Sequence, residues 1–384
     1  GGTRALAVGH GNSASGLQAA ALGSSNTASG QNSSAVGRSN LASGVSGTAM
    51  GFGNTASGLN AIGIGSSNTA LGRDASAIGQ SNRAPGEGAL AVGFDNLSSR
   101  LNSTALGSRN EASGERALAV GNDNLSTGFQ GVAIGGDNLA SAQNSTAIGR
   151  ANTASGLSAL ALGLSNSATS ISAISVGIDN QSTARNAISF GFNNAAAGQG
   201  SSAIGFLNNA DGLFSSALGY DNLAGGDNSS ALGSLNQADG EFSVAVGRGN
   251  LSRGRNSAAV GIGNRALSEG SVALGVNGNV LSSFDPLQPS GGSAASLAIG
   301  AGDGAFVGSE DGSGALAAIA IGNGTAVLDG ATLAIAMGHT AIVGKAQSIA
   351  LGAFSLANGV NAIAIGTDSD ATADNTIALG ANAA

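Results

Sequence analysis

Residues 146–163 read TAIGRANTASGLSALALG, and this stretch shows the unit from which the chain is built. It holds two glycines fourteen residues apart, Gly149 and Gly163, each of which follows a short apolar run. Asn152 follows the first of them by three residues, and Gly156 follows it by seven. The same spacing runs from Gly9 to Gly275 without a slip, which gives twenty such glycines. Self-similarity at a fixed short period predicts a solenoid.

Each position of the unit, numbered from this anchor glycine as zero, has a restricted composition. Position −1 is apolar in all twenty units, and position −2 is Ala in seventeen. Position +5 is Ala or Ser, and position +7 is Gly in fourteen of the nineteen units that carry the asparagine. Alternation over positions −3 to −1 predicts a short strand, and the glycines at 0 and +7 predict turns in which φ is positive. Each unit is therefore expected to form one flattened coil of two strands and two turns, stacked in parallel on the next.

Side-chain size predicts which positions face the coil interior. A narrow coil leaves room inside only for methyl-sized groups, so positions −2 and +5 are expected there. The larger side chains at −1 then face outward and need a partner surface, because exposure of each costs about 1.5–3 kcal/mol. Other copies of the chain, related by closed symmetry, would supply that surface, and a homotrimer would bury three such stripes together. The opposite assignment, with position −1 inside a monomeric coil, stays open at this point.

The asparagine at +3 is expected to form a structural ladder of amide hydrogen bonds from coil to coil. An array that repeats unchanged over nineteen coils favours this role over ligand binding. The ladder positions are Asn12, Asn26, Asn40, Asn54, Asn68, Asn82, Asn96, Asn110, Asn124, Asn138, Asn152, Asn166, Asn180, Asn194, Asn208, Asn222, Asn236, Asn250 and Asn264.

The period divides the chain into three parts. Residues 1–275 are expected to form the regular solenoid. The next anchor, Gly300, lies twenty-five residues after Gly275, so residues 276–299 are expected to form an inserted loop. Residues 300–384 are expected to continue the solenoid with irregular insertions, since fourteen-residue spacing returns near the end of the sequence.

Composition argues against several classes of protein. The net charge of −8 disfavours nucleic acid as a partner. No uninterrupted apolar run approaches the ~18 residues of a membrane helix, so no membrane contact is expected in this segment. There is no cysteine for disulfides. The chain does not begin with Met and shows no signal peptide, so we expect it to be a piece of a longer protein.

The sequence offers no plausible catalytic set, so neither an enzyme nor a cofactor is expected. The two histidines, His10 and His339, lie far apart along the chain and each directly follows an anchor glycine, as exposed turn residues do. The acidic residues Asp303, Glu310 and Asp311 lie in a long gap between anchors, where calcium binding is the alternative to a plain surface insertion.

Aromatic residues cluster at position +1 in three consecutive units, as Phe192, Phe206 and Tyr220. In a chain with only twelve aromatic residues, this column is a candidate ligand-binding patch. The alternative is aromatic stacking that stiffens the turn.

The copies Asn144-Ser145-Thr146-Ala147-Ile148-Gly149 and Asn361-Ala362-Ile363-Ala364-Ile365-Gly366 resemble the N-S-V-A-I-G-x-x-S signature of YadA-like trimeric autotransporter adhesin heads, also called the Hep/Hag repeat. The family serine is present at Ser369, whereas the first nineteen units carry Asn there. The resemblance extends over nearly the whole chain. It implies an all-β, left-handed parallel β-roll or β-helix solenoid of fourteen-residue coils, assembled as a homotrimer.

The same resemblance implies a non-enzymatic adhesin head on the bacterial cell surface, with a role in virulence. Such a head is extracellular and is held in the outer membrane by a part of the protein that is not in this chain. Its partners would be extracellular matrix proteins, host cells or abiotic surfaces. The alternative is a structural filament or spacer subunit, including one like a phage fibre.

Overall fold

The computed structural model describes residues 2–280, 296–302, 304–308, 316–328 and 330–384. The chain divides into two compact units, Gly1–Asn186 and Ala187–Ala384. Each is an all-β parallel solenoid, and no helix occurs among the described residues. The chain has about 25 coils of about 14 residues, as the period predicts.

Every coil of the first unit has one long strand around the anchor glycine and one short strand after it. The long strands are Leu6–His10, Ala20–Ser24, Ser34–Arg38, Thr48–Phe52, Ile62–Ser66, Ser76–Gln80, Leu90–Phe94, Thr104–Ser108, Leu118–Asn122, Val132–Gly136, Thr146–Arg150, Leu160–Leu164 and Ile174–Ile178. The short strands are Ser13–Ala14, Thr27–Ala28, Leu41–Ala42, Thr55–Ala56, Thr69–Ala70, Arg83–Ala84, Leu97–Ser98, Glu111–Ala112, Leu125–Ser126, Leu139–Ala140, Thr153–Ala154, Ser167–Ala168 and Gln181–Ser182.

The second unit follows the same plan, with shorter strands toward its end. Its longer strands are Ile188–Phe192, Ser202–Phe206, Ser216–Tyr220, Ser230–Ser234, Val244–Arg248, Ala258–Ile262, Val272–Val276, Leu297–Gly300, Ile319–Ile321, Ile335–Met337, Ile349–Leu351, Ile363–Ile365 and Ile377–Leu379. The alternating strands are Ala195–Ala196, Asn209–Ala210, Leu223–Ala224, Gln237–Ala238, Leu251–Ser252, Arg265–Ala266, Asn279–Val280, Ala305–Val307, Thr325–Val327, Ile342–Val343, Leu356–Ala357 and Asp370–Ala371.

Strand pairing within each unit is parallel and keeps the register of the repeat. In the first unit, Ala105 pairs with Ala119 and Gly107 pairs with Gly121. The short strands pair in the same way on the other side of the coil, as Leu125 does with Leu139. Equivalent residues therefore stack in columns, so a side chain at one position meets the same position in the next coil.

Small side chains fill the interior of the coils, as their size predicts. Ala105 at position −2 and Ala112 at position +5 are completely buried. A third inward column, at position −4, was not identified from the sequence; Ala117 and Ser145 belong to it. Position −4 keeps the inward phase of position −2 but lies one residue before the strand begins, outside positions −3 to −1 that predict the strand.

The interior accepts larger groups in the second unit, where the prediction of methyl-sized groups alone is wrong. Val280, Val307, Val327 and Val343 are fully buried in successive short strands. The ladder position in several of these coils holds a residue smaller than asparagine, such as Gly278, which leaves volume inside the coil.

The two glycines of the unit are required for different reasons. Gly107 at position 0 has φ +116, and a Cβ there would lie 2.1 Å from the carbonyl oxygen of Gly121. Gly114 at position +7 does not have a positive φ, contrary to the prediction, but its Cβ would lie 2.0 Å from the Gly128 carbonyl oxygen. The left-handed residue of this second turn is instead at position +9, as Arg116 shows with φ 57. Close approach of the next coil explains the glycine at +7.

The expected loop at 276–299 overlaps two strands at its ends, Asn279–Val280 and Leu297–Gly300. Leu297 pairs with Val272, so the register is restored after the insertion. Residues 281–295 lie outside the described residues.

Candidate binding surface

The ladder asparagines are buried in the turn that follows the anchor glycine. The backbone N–H of Asn110 donates to Asn96 Oδ1 at 3.0 Å, and its Nδ2 lies 3.1 Å from the same oxygen. Nδ2 also lies 2.9 Å from the Leu106 carbonyl oxygen and 2.7 Å from that of Gly121 in the next coil. Each amide thus connects three coils through backbone and side-chain contacts. From Asn26 to Asn264 these residues are at most 2% exposed, which leaves no surface for a ligand.

Serine takes the same place near the end of the second unit. Ser355 and Ser369 are fully buried, and each hydroxyl donates to the carbonyl oxygen of its own anchor glycine at 3.0 Å. Both of these hydrogen bonds lie within one coil, and adjoining coils are joined here by backbone hydrogen bonds such as that from Leu356 N–H to the Ser369 carbonyl.

The side chains at position −1 point away from the interior of their own coil. Met50 and Leu162 in the first unit are 44% and 38% exposed, and Phe190 and Leu218 in the second unit are 53% and 45% exposed. Other members of the column are half-buried by their neighbours above and below. The interpretation with position −1 enclosed by its own coil is therefore wrong, because alternation along the strand turns −2 inward and −1 outward.

The aromatic column lies on the same outward face of the second unit, at the last residue of three successive long strands. The rings of Phe192 and Phe206 stack with centroids 4.9 Å apart, and those of Phe206 and Tyr220 stack at 5.4 Å. The three residues are 40%, 39% and 49% exposed. The structure thus brings together the three residues that the sequence proposed as a patch. Their ring faces cover one another, and their edges meet solvent.

Comparison with known families identifies this repeat. The family model for the YadA head domain repeat, two copies long, matches residues 1–26, 14–40, 28–54, 42–68, 56–82, 70–96, 101–124, 126–152, 140–166, 196–222, 224–250, 252–277, 331–355 and 357–383. These matches cover more than half of the chain. The chain belongs to the YadA head-repeat family. A search among curated proteins gave no match.

The YadA head-repeat family is an adhesin and structural family, not an enzymatic one, which agrees with the sequence analysis. In this member, His10 ends an exposed strand, and His339 packs edge-on against Phe354 with ring centroids 5.2 Å apart. No group of three His, Cys, Asp or Glu that could hold a metal occurs within the described ranges. The acidic residues Asp303, Glu310 and Asp311, for which calcium binding is the alternative to a plain surface insertion, lie outside those ranges. No helix of the described residues could cross a membrane.

An ion pair joins two coils of the YadA-type repeat at position +2. Arg109 Nε lies 2.7 Å from Asp123 Oδ1, and Arg109 Nη2 lies 2.7 Å from Asp123 Oδ2. This bidentate hydrogen bond lowers the pKa of the Asp123 carboxyl and raises that of the Arg109 guanidinium. The Arg109 side chain is 54% exposed and that of Asp123 is 34% exposed, so solvent screens the pair and it adds little to stability.

A groove of about 450 Å³ on the first unit was not identified from the sequence. Arg100, Leu101, Glu115 and Phe129 are among the residues that line it. Leu101, Glu115 and Phe129 are at position +8, where composition varies from coil to coil, so the repeat pattern gives no signal for them. Arg100 is at position +7, where it replaces the usual glycine, and this exception is the one signal in the sequence.

Proposed function

We propose that this chain is the trimeric head of a non-enzymatic adhesin displayed on a bacterial cell surface. The outward apolar column at position −1 is the observation that supports the trimer. Burying each of these side chains contributes about 1.5–3 kcal/mol, and the column continues through many coils of both units. Three copies around a common axis bury this face without leaving an open edge of the assembly.

An adhesive role is consistent with a surface in which the backbone is the same in every coil and the side chains of the turns differ. The buried ladder and the alanine core fix the backbone, whereas turn positions carry different exposed side chains in each coil. Extracellular matrix proteins, host cells and abiotic surfaces are the proposed partners, and anchoring in the outer membrane is assigned to a part of the protein outside this chain.

The aromatic column Phe192, Phe206 and Tyr220 is proposed as one adhesive contact. Aromatic residues supply large contact areas at interfaces, and here their order is fixed by ring stacking before any ligand arrives. Little side-chain entropy is then lost on binding.

The test replaces all three aromatic residues by Ser in the full chain and measures binding to plates coated with collagen, fibronectin or laminin, together with thermal unfolding. We expect adhesion to fall while the unfolding temperature changes little. Phe94→Ser is the matched control, because Phe94 occupies the same position and is 45% exposed but has no aromatic neighbour in the adjoining coils. Unchanged adhesion by the triple variant would contradict the proposal that the aromatic column is an adhesive contact. If the wild-type chain binds no coated surface, a role as a filament or spacer subunit is favoured.

A further inference from the structure

Large apolar residues occupy left-handed backbone positions in the second unit. The turn positions +2 and +9 have φ near 50–60° in most coils and usually hold Ser, Asn, Asp or Gly. Phe214 and Phe242, both at +9, have φ 53 and 57. Side chains larger than Asn or Asp rarely adopt this conformation. Strained residues of this kind are frequent at functional sites.

Both phenyl groups are also exposed. Phe214 is 57% exposed and Phe242 is 47% exposed, two coils apart on one edge of the unit. The ring of Phe214 lies over Gly200, since a Cβ on that glycine would be 2.6 Å from Phe214 Cδ1. Folding therefore gains little from either ring, although the backbone is strained at each. Leu213, 38% exposed, extends the apolar surface beside Phe214.

The charge around Phe214 is of one sign. From Ala187 to Gly247 the sequence has five acidic residues and no Lys, Arg or His. Asp211 and Asp227 are exposed on the same turn edge as Phe214. Neither forms an ion pair with any described residue, although Asp211 accepts a hydrogen bond from Asn209 Nδ2 at 2.9 Å and Asp227 accepts the Leu213 backbone N–H at 2.8 Å. Further along, Asp239 and Glu241 are paired with Arg253 and Arg255, so the unpaired negative charge lies beside Phe214.

We propose that this edge, formed by Asp211, Leu213, Phe214, Asp227 and Phe242, binds a polypeptide segment that carries Lys or Arg beside apolar side chains. The carboxylates attract the cationic groups, and the phenyl faces accept cations and aliphatic stems. Asp211 and Asp227 have no ion-pair partner among the described residues, so their charges are available to the peptide. The inference rests on the proposed adhesive function and names the chemistry of one partner.

The experiment titrates the full chain into a labelled peptide of Lys-Ser-Leu-Ser repeats and measures the fluorescence anisotropy of the peptide. This peptide presents Lys and Leu on one face when extended. The charge-reversed peptide of Glu-Ser-Leu-Ser repeats is the ligand control. We expect binding of the Lys peptide only, weakening as salt is added. The charge-only variant Asp211→Asn/Asp227→Asn is expected to bind about tenfold more weakly.

The variant Phe214→Asn/Phe242→Asn separates a binding role from a folding role. Asn suits the left-handed conformation, so this variant is expected to unfold at the same temperature or higher while its affinity falls about tenfold. Leu207→Asn/Leu235→Asn is the matched control, because these leucines have φ 59 and 58 in the other turn of the coil. Its affinity is expected to stay unchanged.

Equal binding of both peptides, no binding of the Lys peptide, or full affinity in the phenylalanine variant would overturn the proposal. If the phenylalanine variant loses peptide binding but still adheres to coated plates, this edge is supported as a peptide site. The aromatic column would then be a separate contact. If the wild-type chain binds no coated surface but does bind the Lys peptide, the adhesive function fails and the peptide site stands.

Discussion

Replacing one ladder asparagine with alanine tests how the coils are held in register. In Asn110→Ala, Oδ1 no longer accepts from the Asn124 backbone N–H at 3.1 Å or from Asn124 Nδ2 at 2.9 Å. The Nδ2 group no longer donates hydrogen bonds to Asn96 Oδ1 and to the carbonyl oxygens of Leu106 and Gly121. The substitution thus removes about four hydrogen bonds, each with a net contribution of about 1 kcal/mol.

The buried backbone N–H of Asn124 sets a lower bound on the effect. Without its acceptor this group alone costs about 1–3 kcal/mol. We expect Asn110→Ala to destabilise the coils around it by about 3 kcal/mol, between that bound and the sum of the lost bonds. Asn110→Ser is expected to lose less, since a serine hydroxyl can donate to the anchor-glycine carbonyl as Ser355 does.

Amide hydrogen exchange is the suitable assay, because repeat proteins open locally and a global unfolding midpoint averages over many coils. A change of about 3 kcal/mol corresponds to more than a hundredfold faster exchange at Asn124. The control is Asn102→Gly, at an exposed position with φ 52 that glycine tolerates; it should leave exchange almost unchanged. Unchanged protection at Asn124 in the alanine variant would refute the stabilising role of the ladder.

Two further predictions follow from the turns of the first unit. Gly107→Ala is expected to destabilise its coil by more than about 3 kcal/mol, because the new Cβ would lie 2.1 Å from a backbone carbonyl oxygen. Gly136→Ala is the control and should change the unfolding temperature little, because a Cβ at Gly136 would have no neighbouring atom closer than 3.9 Å. The carboxyl of Asp123 is expected to titrate below its ordinary pKa by NMR and to return toward it in Arg109→Gln. Because the pKa of the Asp123 carboxyl is lowered in the folded state, any stabilisation by this pair is present at neutral pH and is lost as pH falls through the folded-state pKa. An ordinary pKa for the Asp123 carboxyl would contradict the bidentate geometry.

The periodic part of the fold could be predicted from sequence because each column repeats one physical requirement many times. Small residues at −2 and +5 indicated the interior, and the apolar residues at −1 indicated an outward face. The prediction of positive φ for the glycine at +7 is wrong because composition does not distinguish a left-handed turn from close backbone approach. Both requirements select glycine for its missing Cβ.

Features that break the period were harder to predict. The valine column from Val280 to Val343 lies where the spacing of the anchors changes, so its coils could not be aligned by sequence alone. Phe214 and Phe242 occupy positions that polar residues hold in most other coils, but their significance depends on φ and exposure, which only the structure gives.

The mass of the assembly in solution tests the central claim most directly, because the outward −1 column requires a partner surface. Static light scattering of the full chain is predicted to give about three times the chain mass of 36.1 kDa. A mass of one chain, with side chains such as Met50 and Leu218 left uncovered, would contradict the account.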